Sequence, residues 1–239
     1  MDEKLNTGET CAAKGGFLAW LDNFWYHYKW HSLISLFLIF AITTCTLQMC
    51  SRESYDIQIL YAGNHAYSRQ SKDADTPEYY KARETLSRFV SDYDENGEVN
   101  VSLRDLFIPD EEQMKDLSEA EYSRAFEDRT NLGPIMLSSE YFLCFLAPDI
   151  YEYYKGEERL SNISEFAPEG TSAKYYDDTG MAVLLSSCPF SELGGFSTLP
   201  PDTLICLRSL NFSNHLNKNS NESAYKAAKE TLIKILSFS

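Results

Sequence analysis

A long uninterrupted apolar segment near the start of the chain is the strongest signal in the sequence. No residue from Trp30 to Ser51 carries a formal charge, and the centre of this run, residues 33–42, is almost wholly apolar. About 20 helical residues are enough to cross a hydrocarbon core of roughly 30 Å. The run therefore predicts a single transmembrane helix over residues 32–51.

Aromatic residues crowd the stretch that precedes this span. Trp20, Trp25 and Trp30 all lie between residues 17 and 31, together with phenylalanines, tyrosines and two histidines. Aromatic rings with one polar edge prefer the headgroup level of a bilayer. We therefore predict that residues 1–31 form a short tail ending in an amphipathic helix, which lies along the membrane and turns into the span.

Two kinds of membrane attachment fit the segment. A lipoprotein would use Cys45 or Cys50, which follow the apolar run, but Thr44 and Met49 before them are poor matches to the small residue that usually precedes a lipidated cysteine. An uncleaved signal anchor is favoured. We expect the N-terminus inside and the bulk of the chain outside the cytoplasm, although Lys29 and Arg52 flank the span almost symmetrically.

Beyond the span the pattern alternates between strand and helix over residues 52–239. The strands are predicted at residues 56–62, 98–103, 141–146, 182–186 and 203–207. The helices are predicted at 76–93 with Thr76 as N-cap, and at 110–128, 149–154 and 222–238. Because the run 141–146 is continuously apolar, it is typical of a strand buried on both faces. This alternation predicts an α/β domain with a mixed sheet covered by helices.

The charge balance excludes one class of partner. The chain has 36 Asp and Glu against 21 Lys and Arg, a formal net charge of −15. Nucleic-acid binding needs clustered basic residues to neutralise phosphates. We therefore expect no nucleic-acid partner, and the lipid bilayer is the partner that the sequence predicts directly.

One acidic segment has the start of a calcium-binding loop. Asp92, Asp94 and Asn96 supply oxygen donors at alternate positions, and Gly97 follows them. The position where such loops carry a bidentate Glu is Leu103. The sequence thus leaves two interpretations open, a weak calcium site at Asp92, Asp94 and Asn96, or a polar turn that leads into a strand.

The cysteines and the search for catalytic motifs complete the candidate chemistry. Cys144, Cys188 and Cys206 follow the span, so one disulfide at most can form among them, and we predict Cys188 with Cys206. No nucleophile elbow, zinc-protease motif or phosphate-binding loop is present. We therefore expect a protein that is not an enzyme and that holds no cofactor, calcium aside.

The domain also resembles a known family. The strand that runs into a Gly-Asn turn at residues 59–64, and the block of residues 140–160, resemble extracellular solute-binding proteins of the type 2 periplasmic-binding fold. Residues 182–210 would then return to the first lobe. Members of that family are usually longer, so the resemblance implies a domain with one lobe much reduced.

The resemblance implies a ligand site at the carboxyl ends of the strands. The residues it selects are Gly63, Asn64, His65, Pro148 and Asp149. It implies a membrane-anchored, extracytoplasmic binding protein that captures a small solute. The alternative from another class is a structural or assembly subunit of a membrane complex, which docks a protein partner through tyrosine-rich surface and binds no small molecule.

Overall fold

The computed structural model describes residues 17–50, 54–68, 76–156, 158–212 and 218–239. The chain divides into two compact units, Met1–Glu53 and Ser54–Ser239. Part of the predicted tail (residues 1–16), the last residue of the predicted span (51) and the first two residues of the predicted exported domain (52–53) lie outside the described residues.

The first unit is built on α1 (Phe17–Cys50), a helix of 34 residues. At 1.5 Å per residue it is about 50 Å long, which exceeds the hydrocarbon thickness of a bilayer. Its stretch Phe24–Leu47 is long and apolar enough to span a membrane, and its apolar window has no buried residue. The predicted turn between a surface helix and the span is not found, since no Gly or Pro interrupts residues 17–50 and one helix continues through both.

Side chains along α1 suit an apolar surrounding. Trp20 stacks on Phe24, and Phe24 stacks on Tyr28, with ring centroids 5.5 Å and 5.3 Å apart. Towards the other end, the hydroxyls of Thr43 and Thr44 donate to carbonyl oxygens one turn earlier, at 2.7 Å and 2.8 Å. These bonds satisfy the polar groups within the helix, which lipid requires because it offers no partner.

The second unit is a five-stranded mixed sheet in the order β2-β1-β3-β5-β4. The strands are β1 (Ile57–Gly63), β2 (Val101–Phe107), β3 (Tyr141–Leu146), β4 (Ala182–Leu184) and β5 (Leu204–Leu207). β1 pairs in parallel with β2 and β3, whereas β5 runs antiparallel to both β3 and β4. The prediction of an α/β domain with a mixed sheet is confirmed.

Helices cover both faces of this sheet. They are α2 (Pro77–Ser87), α3 (Glu119–Leu137), α4 (Pro148–Tyr154) and α5 (Lys218–Ser237). α2 and α5 pack on the face that carries Ile59, Tyr61 and Phe145. α3 and α4 pack on the face that carries Leu60 and Cys144. The result is a three-layer α/β/α core in which β3 is buried on both faces, as its continuous apolar sequence predicted.

Four predicted elements differ from the structure in position, and one of them is α5, which begins at Lys218 rather than at residue 222. α2 has the predicted cap at Thr76 but ends at Ser87, and Phe89 and Val90 beyond it fold into the core. β2 begins later than predicted and extends to Phe107. The helix predicted at 110–128 is displaced, since α3 begins after Ser118, whose side chain and that of Glu121 form a capping box.

The outer edge of β2 is closed by side chains of α2. The Nε of Arg83 donates to the Val101 carbonyl at 3.0 Å, and the hydroxyl of Tyr79 donates to the Leu103 carbonyl at 2.9 Å. These two carbonyl groups would otherwise be open to pairing with another strand. The edge is therefore protected along its first half.

Charged side chains of α3 close the second half of the same edge. Arg124 donates through Nη2 to the Asp105 carbonyl at 3.1 Å, and Asp128 accepts the Phe107 N–H at 2.9 Å. Arg124 also bridges the carboxylates of Asp105 and Asp128, at 3.0 Å and 3.1 Å. This ion-pair cluster is buried, so its groups depend on one another for compensation of their lost hydration.

Candidate functional site

The order of the parallel strands creates a crevice at one edge of the sheet. From the carboxyl end of β1 the chain crosses to α2 on one face, and from the carboxyl end of β3 it enters α4 on the other face. β1 and β3 are neighbours, so their two connections diverge at this point. In open α/β sheets, such a topological switch point is where ligands bind.

A cavity of about 230 Å³ lies at this switch point. We call it the strand-end cavity. It is bounded by the ends of the three parallel strands and by the segment that enters β5. Its lining residues are Tyr61, Asn64, Ile108, Asp110, Ala147, Pro148, Asp149, Pro200, Asp202 and Thr203.

Tight backbone contacts hold the strand ends around the cavity. The Ile108 N–H donates to the Gly63 carbonyl at 2.7 Å, and the Ala147 N–H donates to the Ala62 carbonyl at 2.9 Å. Pro148 then begins α4, a position where its missing N–H costs nothing. The parallel ladder thus continues into the loops and fixes Asn64 and Asp149 at the same edge.

Three of the five residues predicted for a ligand site line the strand-end cavity. Asn64, Pro148 and Asp149 do so, whereas Gly63 and His65 are not among its lining residues. Gly63 has a packing role, since a Cβ there would lie 2.6 Å from the Tyr61 hydroxyl oxygen. The N–H of His65 donates to that hydroxyl at 3.2 Å, so His65 contributes through its backbone.

Sequence reasoning missed the rest of the lining, in particular Asp110, Asp202 and Thr203. Asp110 was missed because β2 was predicted to end at residue 103, which put Asp110 in a helix away from the strand ends. Asp202 and Thr203 precede β5, whose antiparallel direction brings its start to the carboxyl edge of its neighbours. That direction has no signal in the local sequence.

The cavity carries negative charge over a buried hydroxyl. Burial raises the pKa of Tyr61, and the carboxylates of Asp202 and Asp149 are among the charges that raise it further. Tyr61 therefore keeps its proton at neutral pH. Its oxygen accepts the His65 N–H, and no described residue accepts its hydroxyl hydrogen.

The predicted calcium loop lies at the opposite edge of the sheet, next to the start of β1. Ligand oxygens of Asp92 and Asp94 lie within 4.8 Å of each other and of a buried carboxylate, Asp56, which sequence reasoning did not select. Asp92 accepts the backbone N–H groups of Asn96 and Gly97, at 3.2 Å and 2.8 Å.

Leu103, at the place of the missing Glu, is buried in β2. Asp56 itself accepts the N–H groups of Tyr93 and Asn100, at 2.6 Å and 2.8 Å. These hydrogen bonds are those of a turn that is stabilised by its own side chains. Calcium binding at Asp92, Asp94 and Asn96 stays a prediction.

The predicted disulfide between Cys188 and Cys206 is not formed. Both residues are buried free thiols, and they lie on opposite faces of the sheet. The neighbour of Cys206 across the β3–β5 pair is Cys144, also a free thiol. Burial raises the pKa of both Cys188 and Cys206, so these cysteines act as small apolar side chains.

Comparisons with known proteins add no assignment to this geometry. Neither models of protein families, nor curated proteins, nor solved structures gave a significant match to the chain. The likeness to the type 2 periplasmic-binding fold therefore stays a prediction. What is established is coarser, namely an α/β domain with a mixed sheet and one N-terminal apolar helix.

Proposed function

We propose that this protein is a membrane-anchored, non-enzymatic binding protein that captures a small ligand in the strand-end cavity. The observation that carries the proposal is the position of that cavity at the switch point between β1 and β3. Loops at this position vary without disturbing the sheet, which is why α/β folds use it for ligands. Asn64, Pro148 and Asp149 are the residues we assign to the site.

The anchor in this proposal is α1. Its apolar side chains are exposed along most of its length, and water around so large an apolar surface is unfavourable. A bilayer removes that cost for a helix of this length. We infer that the α/β domain lies outside the cytoplasm, and labelling in intact cells tests this orientation.

Fractionation and labelling test the anchor. The full-length chain should sediment with membranes, resist alkaline carbonate and be released by detergent. A Tyr153→Cys variant, altered at an exposed position, should react with a membrane-impermeant maleimide in intact cells. Cys144 is unsuitable for this labelling because it is buried. Recovery of the chain in the soluble fraction would contradict the anchor, and labelling only after lysis would reverse the orientation.

Ligand-observed NMR tests the cavity. The full-length protein in detergent would be screened against a library of amino acids, sugars, amines and organic acids. We expect at least one compound to bind, and an Asn64→Trp variant, which fills the cavity, to abolish that binding. Lys226→Trp, at an exposed position on α5, is the matched control and should leave binding unchanged. The proposed function would be refuted if no compound in the screen bound to the protein in a way that Asn64→Trp abolishes.

A second candidate function is supported by the outer face of α3. Tyr122 and Phe126, one helical turn apart, are 50% and 64% exposed, and Leu137 is exposed at the end of the same helix. Exposed aromatic pairs of this kind suit a protein-docking subunit. In that case Phe126→Ser would disrupt a membrane complex seen in native electrophoresis, while Asn64→Trp would leave it intact.

A further inference from the structure

The charges around the strand-end cavity are all of one sign. Asp110, Asp149 and Asp202 line it, and no lysine, arginine or histidine is among its described lining residues. Asp110 is engaged within its own loop, where it accepts the N–H groups of Glu112 and Gln113 at 2.9 Å and 2.8 Å. Asp149 and Asp202 make no hydrogen bond or ion pair with any described residue, and we call these two the cavity acids.

A buried hydroxyl at the cavity provides evidence independent of the acids. Thr203 is 2% exposed and lines the cavity, yet its side chain makes no hydrogen bond to a described residue. Its backbone N–H and carbonyl are both satisfied, by Pro200 and Leu185. The hydroxyl oxygen itself is open to the cavity, so it is available to a group that enters the cavity.

Metal coordination explains the cavity acids less well than an organic group does. Among the described residues, Asp56, Asp92 and Asp94 are the one set of three acidic, histidine or cysteine side chains whose ligand atoms lie within 4.8 Å of one another. The cavity acids and Asp110 do not converge that closely. Three acidic ligands for one metal ion are therefore not assembled at the cavity among the described residues.

The volume limits the size of a ligand. The strand-end cavity has a volume of about 230 Å³. Pockets for drug-sized ligands are larger, roughly 300 to 1,000 Å³. The cavity therefore fits a compact molecule, with only a few carbon atoms beyond its charged group.

We propose that the strand-end cavity binds a small organic cation, whose ammonium group is held by Asp149 and Asp202 and whose remaining part contacts the Thr203 hydroxyl. This inference rests on the proposed function, since it names the ligand class of the same site. An ammonium carries three donors and no acceptor, which matches two free carboxylates. Tyr61 also lines the cavity, and no described residue accepts its hydroxyl hydrogen.

Three four-carbon probes of equal length test the charge preference. These are 1,4-diaminobutane, 1,4-butanediol and succinate, titrated by calorimetry up to about 10 mM, the range that detects millimolar dissociation constants. The full-length protein would be used in phosphatidylcholine nanodiscs at about 0.15 M salt, which screens attraction by the distant negative charge of the chain. We expect 1,4-diaminobutane to bind and the other two probes not to bind.

Matched variants then locate the binding. Asp149→Asn with Asp202→Asn should weaken 1,4-diaminobutane binding by about tenfold or more, the loss expected for a hydrogen bond to a charged group. Asp92→Asn with Asp94→Asn removes the same charge from the opposite edge and should change the affinity less than about twofold. Thr203→Val keeps the shape of the side chain and should weaken binding by a smaller factor than the double variant of the cavity acids.

Three other results of these titrations would each contradict the cation site or the cation class. Equal weakening by both double variants would mean attraction by net charge and would refute the site. If 1,4-butanediol or succinate bound more tightly than the diamine, and Asn64→Trp abolished this, the cavity would bind ligands but the cation class would be wrong. No binding of any probe would refute the cation inference alone, since the solute screen judges the proposed function separately.

Discussion

Two groups of acidic side chains in the α/β domain differ in what compensates their negative charge. Asp56, Asp105 and Asp128, the inner acids, are buried and accept bonds from backbone N–H groups or from Arg124. The cavity acids, Asp149 and Asp202, are exposed and have no partner among the described residues. The inner acids therefore serve the fold, whereas the cavity acids are available to a ligand.

Loss of Arg124 is the largest expected effect on the inner acids. Arg124→Met would leave Asp105 and Asp128 buried without their cation, so the free energy of unfolding should fall by about 3–5 kcal/mol. Urea denaturation measures this. Arg129→Met on the same helix removes an exposed arginine that donates to the Pro109 carbonyl, and it should cost about 1 kcal/mol or less. Equal losses in the two variants would contradict the assigned role of the buried cluster.

Asp56 comes next, because its carboxylate organises the loop before β2. Asp56→Ala strands the N–H groups of Tyr93, Asp94 and Asn100, and we expect a loss of about 2–3 kcal/mol. Asp92→Ala, in the exposed part of the same loop, should cost about 1 kcal/mol. If Asp92→Ala proved the more damaging variant, Asp56 would not be the residue that holds the loop.

Asp105 predicts a distinct dependence of stability on pH. Burial raises its pKa to about 6, although Arg124 lowers it, whereas the unfolded chain has an ordinary value near 4. Between these two pH values the Asp105 carboxyl is protonated in the folded state and ionised in the unfolded state. This group therefore makes the free energy of unfolding fall as pH rises from about 4 to 6. Asp105→Asn should remove that part of the slope, on the order of 3 kcal/mol, in urea titrations at several pH values. An unchanged slope would contradict the raised pKa.

The two groups of acids were not equally predictable from the sequence. Asp149 follows a continuous apolar run, whose burial on both faces made β3 recognisable residue by residue, and the family resemblance then implied a ligand site at the end of that strand. Asp202 depends on the direction and neighbours of β5, which are decided by long-range pairing. Local pattern carries no information on such pairing, so Asp202 could not be found.

The contacts of the inner acids and of the cysteines were not predicted correctly, for a related reason. The contact of Asp105 and Asp128 with Arg124 could not be predicted, because both β2 and α3 were predicted to begin several residues before their observed starts. The capping box of Ser118 and Glu121, which marks the true start of α3, was present in the sequence. The pairing of Cys188 with Cys206 ignored which face of the sheet each residue occupies. A shift of one residue in a strand exchanges its faces, so errors of a few residues remove this information.

The smallest expected effect on stability is at the cavity acids, and it is the sharpest test of the difference between the two groups. Asp149→Asn and Asp202→Asn, singly or together, should change the free energy of unfolding by no more than about 0.5 kcal/mol, as is usual for exposed side chains without partners. Urea denaturation of the same variants used for ligand titration provides the measurement. A loss of about 2 kcal/mol would move these residues to the structural group, and weakened binding would then reflect damage to the fold. Retained stability with weakened binding, while the Asp92→Asn with Asp94→Asn control binds as before, is the combination expected of a ligand site.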